Sequence, residues 1–503
     1  MTFYLHRAER ADRLALELAG LLARPLDDAF TSELVAVPTQ GVERWLAQTL
    51  SHRLGTSDGG RDGVCAGVEF PSLRQLTSTV LGSATGFDLA TDPWQPRRLV
   101  WPLLKVVDEA HGEPWAQLLW SYLGDQPDIA SSCPPSGGAD DPVRRGRRWF
   151  TARHLADLFL QYAGSRPQMI RSWRDGHDVD GSGRPLPSDY SWQAELWRRL
   201  RAEVEVPSPA ERLSLGCARL TEEPGLAELP ARVSVFGATR LAPQHREVLA
   251  ALSVHRDVHL WLPHPSPVLW QRMSTVPRAV LMPGPRRSDR TAELPANPLL
   301  TYLGRDTREL QVNLTQLAEG VDLHHRASTD SALPRTLLQL LQRDLAQDRP
   351  VAAEAERPEL DTGDRSVSVH ASHGHDRQVE VLRDVLVGLL ADDPTLEPRD
   401  IVVMCPDIER FAPLISASFG LSSDESAVEH PGHRLRVRLA DRALRQVNPL
   451  LGALSRVLGL ADTRLTAATL LDLCSYPPVA HKFAFSEDEL DRLRDLVARA
   501  GVR

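Results

Sequence analysis

A glycine-containing turn follows the first short apolar run of the chain, where an α/β nucleotide-binding domain would carry its phosphate loop. Residues 34–37 predict a buried strand, and apolar residues at helical spacing follow the turn at 38–41. A working phosphate loop needs glycines, a lysine for the β- and γ-phosphates and a hydroxyl for Mg²⁺. Here Gly41 remains, no Lys-Ser/Thr pair follows, and Glu43 would face phosphate with negative charge. We predict a degenerate nucleotide site at Thr39 and Gly41, with an ordinary strand-to-helix turn as the alternative.

A second position for nucleotide chemistry lies at the end of the predicted strand 233–236. Motor proteins of this layout place acidic residues after such a strand to hold Mg²⁺ and the attacking water. In this chain the strand runs into Gly237-Ala238-Thr239-Arg240, which contains no acid. The Lys-Ser/Thr pair is missing from the first turn and the acid is missing from the second. These two losses predict that this chain hydrolyses no nucleoside triphosphate and needs no cofactor of its own.

Three histidines, His370, His373 and His375, lie within six residues and could bind zinc. However, alternation along a strand would send neighbouring side chains to opposite faces, and no His-Glu-x-x-His motif or nearby cysteine accompanies them. We therefore favour a strand end followed by a polar loop, and we expect no metal site. A metal hydrolase built on these histidines remains a third hypothesis.

Residues 142–220 reverse the charge of the chain, with fourteen arginines against nine acids, although the whole chain carries −9. Four arginines lead into two aromatic residues, in the order Arg144, Arg145, Arg147, Arg148, Trp149 and Phe150. Arginine binds phosphates and aromatic rings stack on bases, which is the chemistry of single-strand recognition. The alternative is a helical domain with tryptophans in its core and arginines on its solvated face.

Composition places the chain among ordinary globular proteins. It has 503 residues, 42% hydrophobic and 25% charged, with no apolar stretch long enough to span a membrane and no secretory signal at its start. The five cysteines are far apart and form no Cys-x-x-Cys motif, which fits a reducing compartment. We expect a cytoplasmic protein without membrane contact.

The order of elements predicts two α/β lobes. A strand-helix-strand unit at 233–262 implies a parallel sheet. A second such unit is predicted from strands at 367–369 and 401–404 with a helix at 378–390 between them. The predicted domains are a first lobe at 1–75 and 220–345, a helical insertion at 76–219, a linker at 346–365, a second lobe at 366–443 and a helical insertion from 444 to 503. Loops are expected at 124–143 and 277–296.

Several stretches, in a shared order, resemble the RecC family, the gamma subunits of the bacterial RecBCD exodeoxyribonuclease V. The stretches are Leu5-His6, Gly41-x-x-x-Trp45-Leu46, Phe70-Pro71, Ala156-Asp157-Leu158-Phe159-x-Gln161-Tyr162, Arg166-Pro167, Trp192-Gln193-Ala194, Leu196-Trp197, Asn297-Pro298-Leu299-Leu300, Gly304-Arg305-Asp306, Val379-Glu380-Val381-Leu382, Asp392-x-Pro394-Thr395-Leu396-x-Pro398-Arg399-Asp400-Ile401 and Asp441-Arg442.

The resemblance implies an inactive helicase fold of the UvrD type, with RecA-like lobes whose nucleotide sites have decayed. It implies a non-catalytic subunit that helps to split duplex ends, guides the 3′-ended single strand and reads the Chi signal during repair by homologous recombination. The implied partners are DNA and RecB- and RecD-type subunits, which would supply the ATP and Mg²⁺ chemistry. The similar chains are about twice as long, so a nuclease-like C-terminal domain that contacts RecB would lie beyond this sequence.

The resemblance also carries strand-contacting positions onto this chain. They are Asp157, Leu158, Arg166 and Arg212, and we add Gln40, Arg44 and the four arginines at 144–148 as further expected DNA contacts. Pro38, Gln40, Arg44 and Leu160 differ from the residues of well-known members. The rival hypothesis is an active ATP-dependent helicase that binds nucleotide at Gly41.

Overall fold

The computed structural model describes residues 2–28, 30–56, 63–88, 91–123, 142–277, 289–315, 320–326, 334–359, 361–419, 435, 437, 448–460 and 466–500, without the side chains of 142–146, 487 and 498. The chain divides into two units, Met1–Val367 and Ser368–Arg503. Most of the loop predicted at 124–143 lies outside the described residues, as does the centre of the loop predicted at 277–296. Among the described residues, no helix is both long and apolar enough to cross a membrane.

One sheet of parallel strands forms the centre of the first unit and confirms the predicted α/β class. Its strands are β1 Phe3–Ala8, β2 Glu33–Ala36, β3 Val68–Glu69, β4 Arg232–Phe236, β5 Asp257–Pro263 and β6 Val321–His324. They lie in the order β3-β2-β4-β5-β1-β6. The sequences of β4 and β5 are mostly apolar because helices cover both faces of a parallel sheet. The predicted strand-helix-strand unit at 233–262 is confirmed.

Helices account for most of the remaining described chain. In the first unit they are α1 Ala11–Leu22, α2 Gln40–Ser51, α3 Leu73–Thr85, α4 Pro96–Glu109, α5 Gln117–Leu123, α6 Pro142–Ser165, α7 Pro167–Arg174, α8 Ser191–Val204, α9 Pro209–Glu222, α10 Pro243–Ser253, α11 Pro267–Ser274, α12 Pro298–Tyr302, α13 Arg305–Leu314 and α14 Leu337–Ala346. In the second unit they are α15 His375–Asp392, α16 Ile408–Phe419, α17 Pro449–Gly459, α18 Ala467–Cys474, α19 Pro477–Phe483 and α20 Glu487–Ala500.

Two hydrophobic clusters divide the first unit into a sheet and a helical bundle. The bundle core is built from apolar residues between Trp94 and Ala210, including the fully buried Trp173 and Trp197. Helices α3 and α9, at the ends of the predicted insertion, instead contribute Leu76 and Leu213 to a cluster shared with the sheet. The self-contained part of the insertion is therefore shorter than 76–219 and lies between these two helices.

The segment predicted as an interdomain linker, 346–365, begins inside the first unit. Asp348 is buried, accepts hydrogen bonds from the amides of Ala296 and Asn297 at 2.9 Å, and pairs with Arg272. These contacts attach the start of the segment to the preceding helices. The first unit continues to Val367, just beyond the predicted end of the linker.

The second unit differs from its prediction in its strands. The helix predicted at 378–390 is confirmed as part of α15, which packs on α16 through Val379, Ile415 and Phe419. The segments 367–369 and 401–404 form no strand, and no strand occurs among the described residues of this unit. Val369 and Met404 are exposed, as expected for apolar segments without a hydrogen-bonded neighbour.

Candidate nucleic-acid interface

The turn after β2 already uses part of the anion-binding capacity that a helix start offers. Thr39 has an extended backbone and is the N-cap of α2, where its hydroxyl accepts a 3.3 Å hydrogen bond from the Val42 amide. Glu43 lies in the first turn, where an acid complements the helix dipole. Gln40 and Arg44 are exposed on this first turn. The site of the predicted nucleotide contact is thus a capped helix start beside a carboxylate.

The loop after β4 packs against that turn. Gly237 adopts a φ of 73°, and a Cβ built there would lie 3.9 Å from side-chain atoms of Pro38 and Val42. Arg240, at the end of the loop, forms two 2.9 Å hydrogen bonds with the Asp306 carboxylate, which raises the pKa of the guanidinium. The cation nearest in sequence to this loop is therefore paired with a protein carboxylate.

The aromatic residues of the insertion divide between core and surface. Trp173 and Trp197 are buried, so the core alternative holds for them. Phe150, Tyr190 and Trp101 are exposed by 54%, 55% and 64%. The sequence alone did not separate these groups, because the same bundle uses aromatic rings for packing and presents others to solvent.

Several arginines of the insertion are paired within the protein. Arg198 donates at 2.7 Å to Asp178 and at 3.0 Å to Glu195, and Arg201 donates at 2.8 Å to Glu211. Part of the positive charge counted at 142–220 thus holds helices together. This charge is not free to neutralise phosphates.

The arginines that begin α6 differ from one another. Arg144 and Arg145 lie in the helix, but their side chains are outside the described structure. Arg148 is half-buried, with its guanidinium 4.8 Å from the Trp120 ring and 3.5 Å from Asp108. Arg147 is exposed, and its side chain forms no ion pair with another described residue. Of the side chains described, Arg147 is the better phosphate ligand.

One face of α6 forms a continuous polar and aromatic surface, which we name the α6 stripe. It consists of Arg147, Phe150, His154, Asp157, Gln161 and Ser165, which recur at three- and four-residue spacing. Each is exposed except Asp157, which is half-buried. At about 1.5 Å per residue the stripe is roughly 27 Å long. That length matches several nucleotides of an extended strand.

Arg166 follows the α6 stripe directly and is exposed. Its side chain lies over Gly181, where a Cβ would be 2.6 Å from Arg166 Cδ and 2.8 Å from Nε. Position 181 must therefore lack a side chain for this arrangement. Leu158 is half-buried and packs against the bundle core. Asp157 thus lies within α6 and Arg166 directly after its end, while Leu158 holds the helix against the bundle core.

Arg212 is a correction to the predicted contacts. Its side chain is 8% exposed, donates a 2.7 Å hydrogen bond to Asp92 and lies 4.8 Å from the Phe87 ring. A guanidinium enclosed in this way cannot also contact a strand without leaving the core. We assign Arg212 a structural role between α9 and the chain preceding α4.

Sequence reasoning missed a buried array of rings on the sheet. His6 Nδ1 lies 2.9 Å from His325 Nε2, and His6 Nε2 lies 3.0 Å from His259 Nδ1. Tyr4 stacks on His259 and Trp261 stacks on His6, with centroids 4.6 Å and 3.8 Å apart. Burial first, and then the two neighbouring imidazoles, lower the pKa of His6 to about 3, and burial lowers the pKa of His259 to about 4.

The three histidines of the metal hypothesis do not assemble into a site. His375 is the first residue of α15, and its ring packs 5.0 Å from the Phe411 ring. In the part of the chain that the structure describes, no group of three or more His, Cys, Asp or Glu is placed to hold a metal ion.

Comparison with known proteins gives the same family over the whole chain. Residues 3–348 match the family described as RecC, N-terminal domain, and residues 447–503 match the RecBCD enzyme subunit RecC fourth domain. The RecBCD enzyme subunit RecC of Mycobacterium tuberculosis is 47% identical over 503 residues, covering 100% of this chain and 43% of the relative.

Two further relatives with the same description agree. The protein of Mycolicibacterium smegmatis is 45% identical and that of Escherichia coli is 28% identical, over 100% and 99% of this chain and 43% and 45% of the relatives. The chain spans less than half the length of these curated relatives. The family match covers most of the chain, including the sheet, the helical bundle and the α6 stripe, and the chain therefore belongs to the RecC family.

Proposed function

We propose that this chain is a non-catalytic, DNA-binding part of a RecBCD-type helicase–nuclease, in which it guides an unwound single strand. The observation that carries the proposal is the α6 stripe, which presents Arg147 and Phe150 at one end and leads to Arg166 at the other. Exposed arginine and exposed aromatic rings on one helix face suit a strand whose phosphates and bases are both accessible.

The electrostatics favour local rather than general binding. The whole chain carries −9, so its overall field repels DNA, whereas the insertion has a surplus of arginine. Arg147 is exposed and forms no ion pair with other described residues, so a phosphate would not have to displace a carboxylate from it. We therefore assign strand contact to this face.

The turn at Thr39 supports the non-catalytic part of the proposal. The Val42 amide in this turn already donates a hydrogen bond to the Thr39 hydroxyl. Glu43 adds negative charge where a triphosphate would lie. ATP and Mg²⁺ chemistry is accordingly assigned to RecB- and RecD-type partner subunits. We also propose a cytoplasmic location, since the DNA ends on which such a complex would act lie there.

Signal reading is assigned to Asp157, within the stripe, and to Arg166, which follows it. Asp157 can accept hydrogen bonds from bases, and the exposed Arg166 can donate two in parallel, which is the pattern of base-edge recognition. Chi-like recognition thus rests on residues that lie close to phosphate contacts without being phosphate contacts themselves. We also propose that this subunit helps to split duplex ends when it is assembled with its partners.

The first test is single-strand affinity measured over a salt series with the full chain. Each neutralised phosphate contributes a slope of about −0.7 in log K against log salt for single strands. We expect a slope near −2 to −3 for a few exposed arginines. A flat plot would mean that phosphates are not neutralised and would contradict the proposal.

The second test separates signal reading from general affinity. In a reconstituted complex, Arg166→Ala and Asp157→Ala should change the response to a recombination signal more than they change affinity for unrelated strands. A uniform loss across sequences would indicate phosphate contact alone. The rival helicase hypothesis predicts tight ATP binding by the isolated chain that Gly41→Trp abolishes.

A further inference from the structure

Two tryptophans from neighbouring helices form an open pair on the surface of the insertion. Trp101 of α4 and Trp149 of α6 have ring centroids 5.0 Å apart and planes tilted by 51°. Trp149 is half-buried and packs against the bundle core, which fixes its position. Trp101 packs against the Trp149 ring but remains 64% exposed. The pair thus offers a large aromatic surface that is held in place from one side.

Exposed cations flank this tryptophan pair on both helices. Arg97 precedes Trp101 by one turn of α4, and Arg153 follows Trp149 by one turn of α6. Both are exposed, and neither forms an ion pair with another described residue. Two guanidinium groups with open donors therefore lie within one helical turn of the rings.

The acids farther along α4 lie close to cations of the protein. Asp108, farther along α4, lies 3.5 Å from the Arg148 guanidinium. Glu109 lies 4.0 Å from Lys105, which also contacts Glu203 at 2.8 Å. Lys105 is shared by these two glutamates, so one of their charges is not compensated. The case for a polyanion therefore rests on Arg97 and Arg153, which lie one helical turn from the rings, whereas Glu109 lies two turns from Trp101.

We propose that the tryptophan pair is a stacking site for an unpaired base of a single strand, with Arg97 and Arg153 on the flanking phosphates. The inference rests on the proposed DNA-guiding function and adds a contact that the strand-reading positions do not include. The occupant must offer both a free aromatic face and adjacent anions. A single strand has both, whereas the bases of an intact duplex are stacked on one another.

The test compares two oligonucleotides of equal length, oligo-dT and an abasic strand, bound to the full chain at one salt concentration. Trp101→Ala should weaken oligo-dT binding about five- to tenfold, since one base–aromatic stack is lost, and leave abasic binding unchanged. Trp101→Phe should retain most of the affinity because the aromatic face remains. Tyr302→Ala is the matched control, an 82% exposed aromatic residue elsewhere in the first unit.

A second measurement does not depend on the alanine variant. A 2-aminopurine base within oligo-dT should lose fluorescence on binding the wild-type chain, and Trp101→Phe should weaken that quenching. Equal affinity of wild type and Trp101→Ala for oligo-dT, equal losses for both strands, or no quenching would each overturn the stacking site. Loss of partner-subunit binding by Trp101→Ala without loss of oligo-dT affinity would reassign the pair to a protein interface and also overturn it.

Failure of this inference is separate from failure of the proposed function. If the wild-type chain binds neither strand, the DNA-guiding function itself fails. If wild type binds oligo-dT with a clear salt slope while Trp101→Ala behaves identically, only the stacking site fails.

Discussion

Two regions of the first unit carry groups that suit phosphate, and they differ in whether those groups are already engaged. In the turn between β2 and α2, the Thr39 hydroxyl caps the helix and Glu43 contributes negative charge. Along the α6 stripe, Arg147 is exposed and unpaired among described residues, and Phe150 presents its ring to solvent. The contrast teaches that a fold can keep the frame of a nucleotide site while moving its anion-binding capacity to an inserted domain.

Arginine shows the same contrast between engaged and open groups. Arg212 is enclosed beside Asp92, whereas Arg166 lies on the surface over Gly181. Both arginines are predicted from the sequence as strand contacts. Their surroundings give one a role in stability and the other a role that we assign to binding.

The largest effect should come from breaking the enclosed pair. Asp92→Ala leaves the buried Arg212 guanidinium unpaired and should lower the free energy of unfolding by about 3–5 kcal/mol. Denaturant titration followed by tryptophan fluorescence measures this in the first unit alone, because no tryptophan occurs after Trp270. Asp175→Ala removes an exposed, solvent-screened partner of Arg174 and should leave the free energy of unfolding almost unchanged. Equal effects of the two variants would contradict the structural role of Arg212.

The second effect is a loss of thermal stability in acid. Burial first, then neighbouring imidazoles, lowers the pKa of His6 to about 3, and burial lowers the pKa of His264 to about 3. The unfolded chain, with histidine pKa near 6.5, therefore binds more protons than the folded chain between about pH 6.5 and pH 3. Stability should be complete above pH 7 and fall as the pH drops below about 6.5.

The measurement is the melting temperature of the first unit from pH 8 to pH 4.5. His6→Phe should lower it at every pH but flatten the acidic decline, since one titrating group is removed. His177→Gln, at an exposed position, is the matched control and should leave the profile unchanged. An acidic decline that is identical in wild type and His6→Phe would contradict the assignment to the ring array.

The third effect concerns the exposed arginines of α6, which form no ion pair with other described residues. Arg147→Ala together with Arg153→Ala should make the salt slope of single-strand binding shallower by about 1.4, because two phosphates are no longer neutralised. Arg198→Ala with Arg201→Ala removes two arginines paired within the protein and should leave the slope unchanged after correction for folding. Equal changes in slope would show that total charge, rather than open charge, determines binding.

The smallest effect concerns the turn between β2 and α2, where Thr39 caps the helix. Thr39→Ala removes a helix cap and should cost about 1 kcal/mol of stability. Ser72→Ala removes the equivalent cap of α3 and should cost a similar amount. Calorimetric titration should detect no tight ATP binding by Thr39→Ala, because freeing one amide does not supply the missing lysine. Micromolar ATP binding by this variant would show that the cap alone kept the site closed.

Local periodicity was sufficient for β2, β4 and β5, the three adjacent central strands of the first unit's sheet, but β1, β3 and β6 were not predicted. Runs such as 233–236 and 258–262 are apolar because both faces of a parallel strand are covered, and the intervening helix has its own spacing. The same reading predicted strands at 367–369 and 401–404, and the structure forms no strand at either segment. A strand depends on a hydrogen-bonded neighbour, and local sequence does not report whether that neighbour is present.

The candidate site was predictable only in part. The arginine-rich stretch and Arg166 could be found from residue type and resemblance. The burial of Arg212 could not, because Asp92 lies 120 residues away in sequence. The ring array joins residues separated by 253 and 319 positions, so no motif marks it. Burial and long-range pairing decide which arginines and rings remain open, and both arise from packing.

The most direct test of the account is photo-cross-linking of a 5-iodouracil-substituted single strand to the full chain, followed by peptide mapping. We predict that cross-links fall mainly on peptides from Pro142–Ser165 and on the peptide that contains Arg166, with few on the turn at Thr39. Cross-links concentrated on that turn or on the second unit, with α6 unlabelled, would contradict the claim that the inserted helices carry the strand.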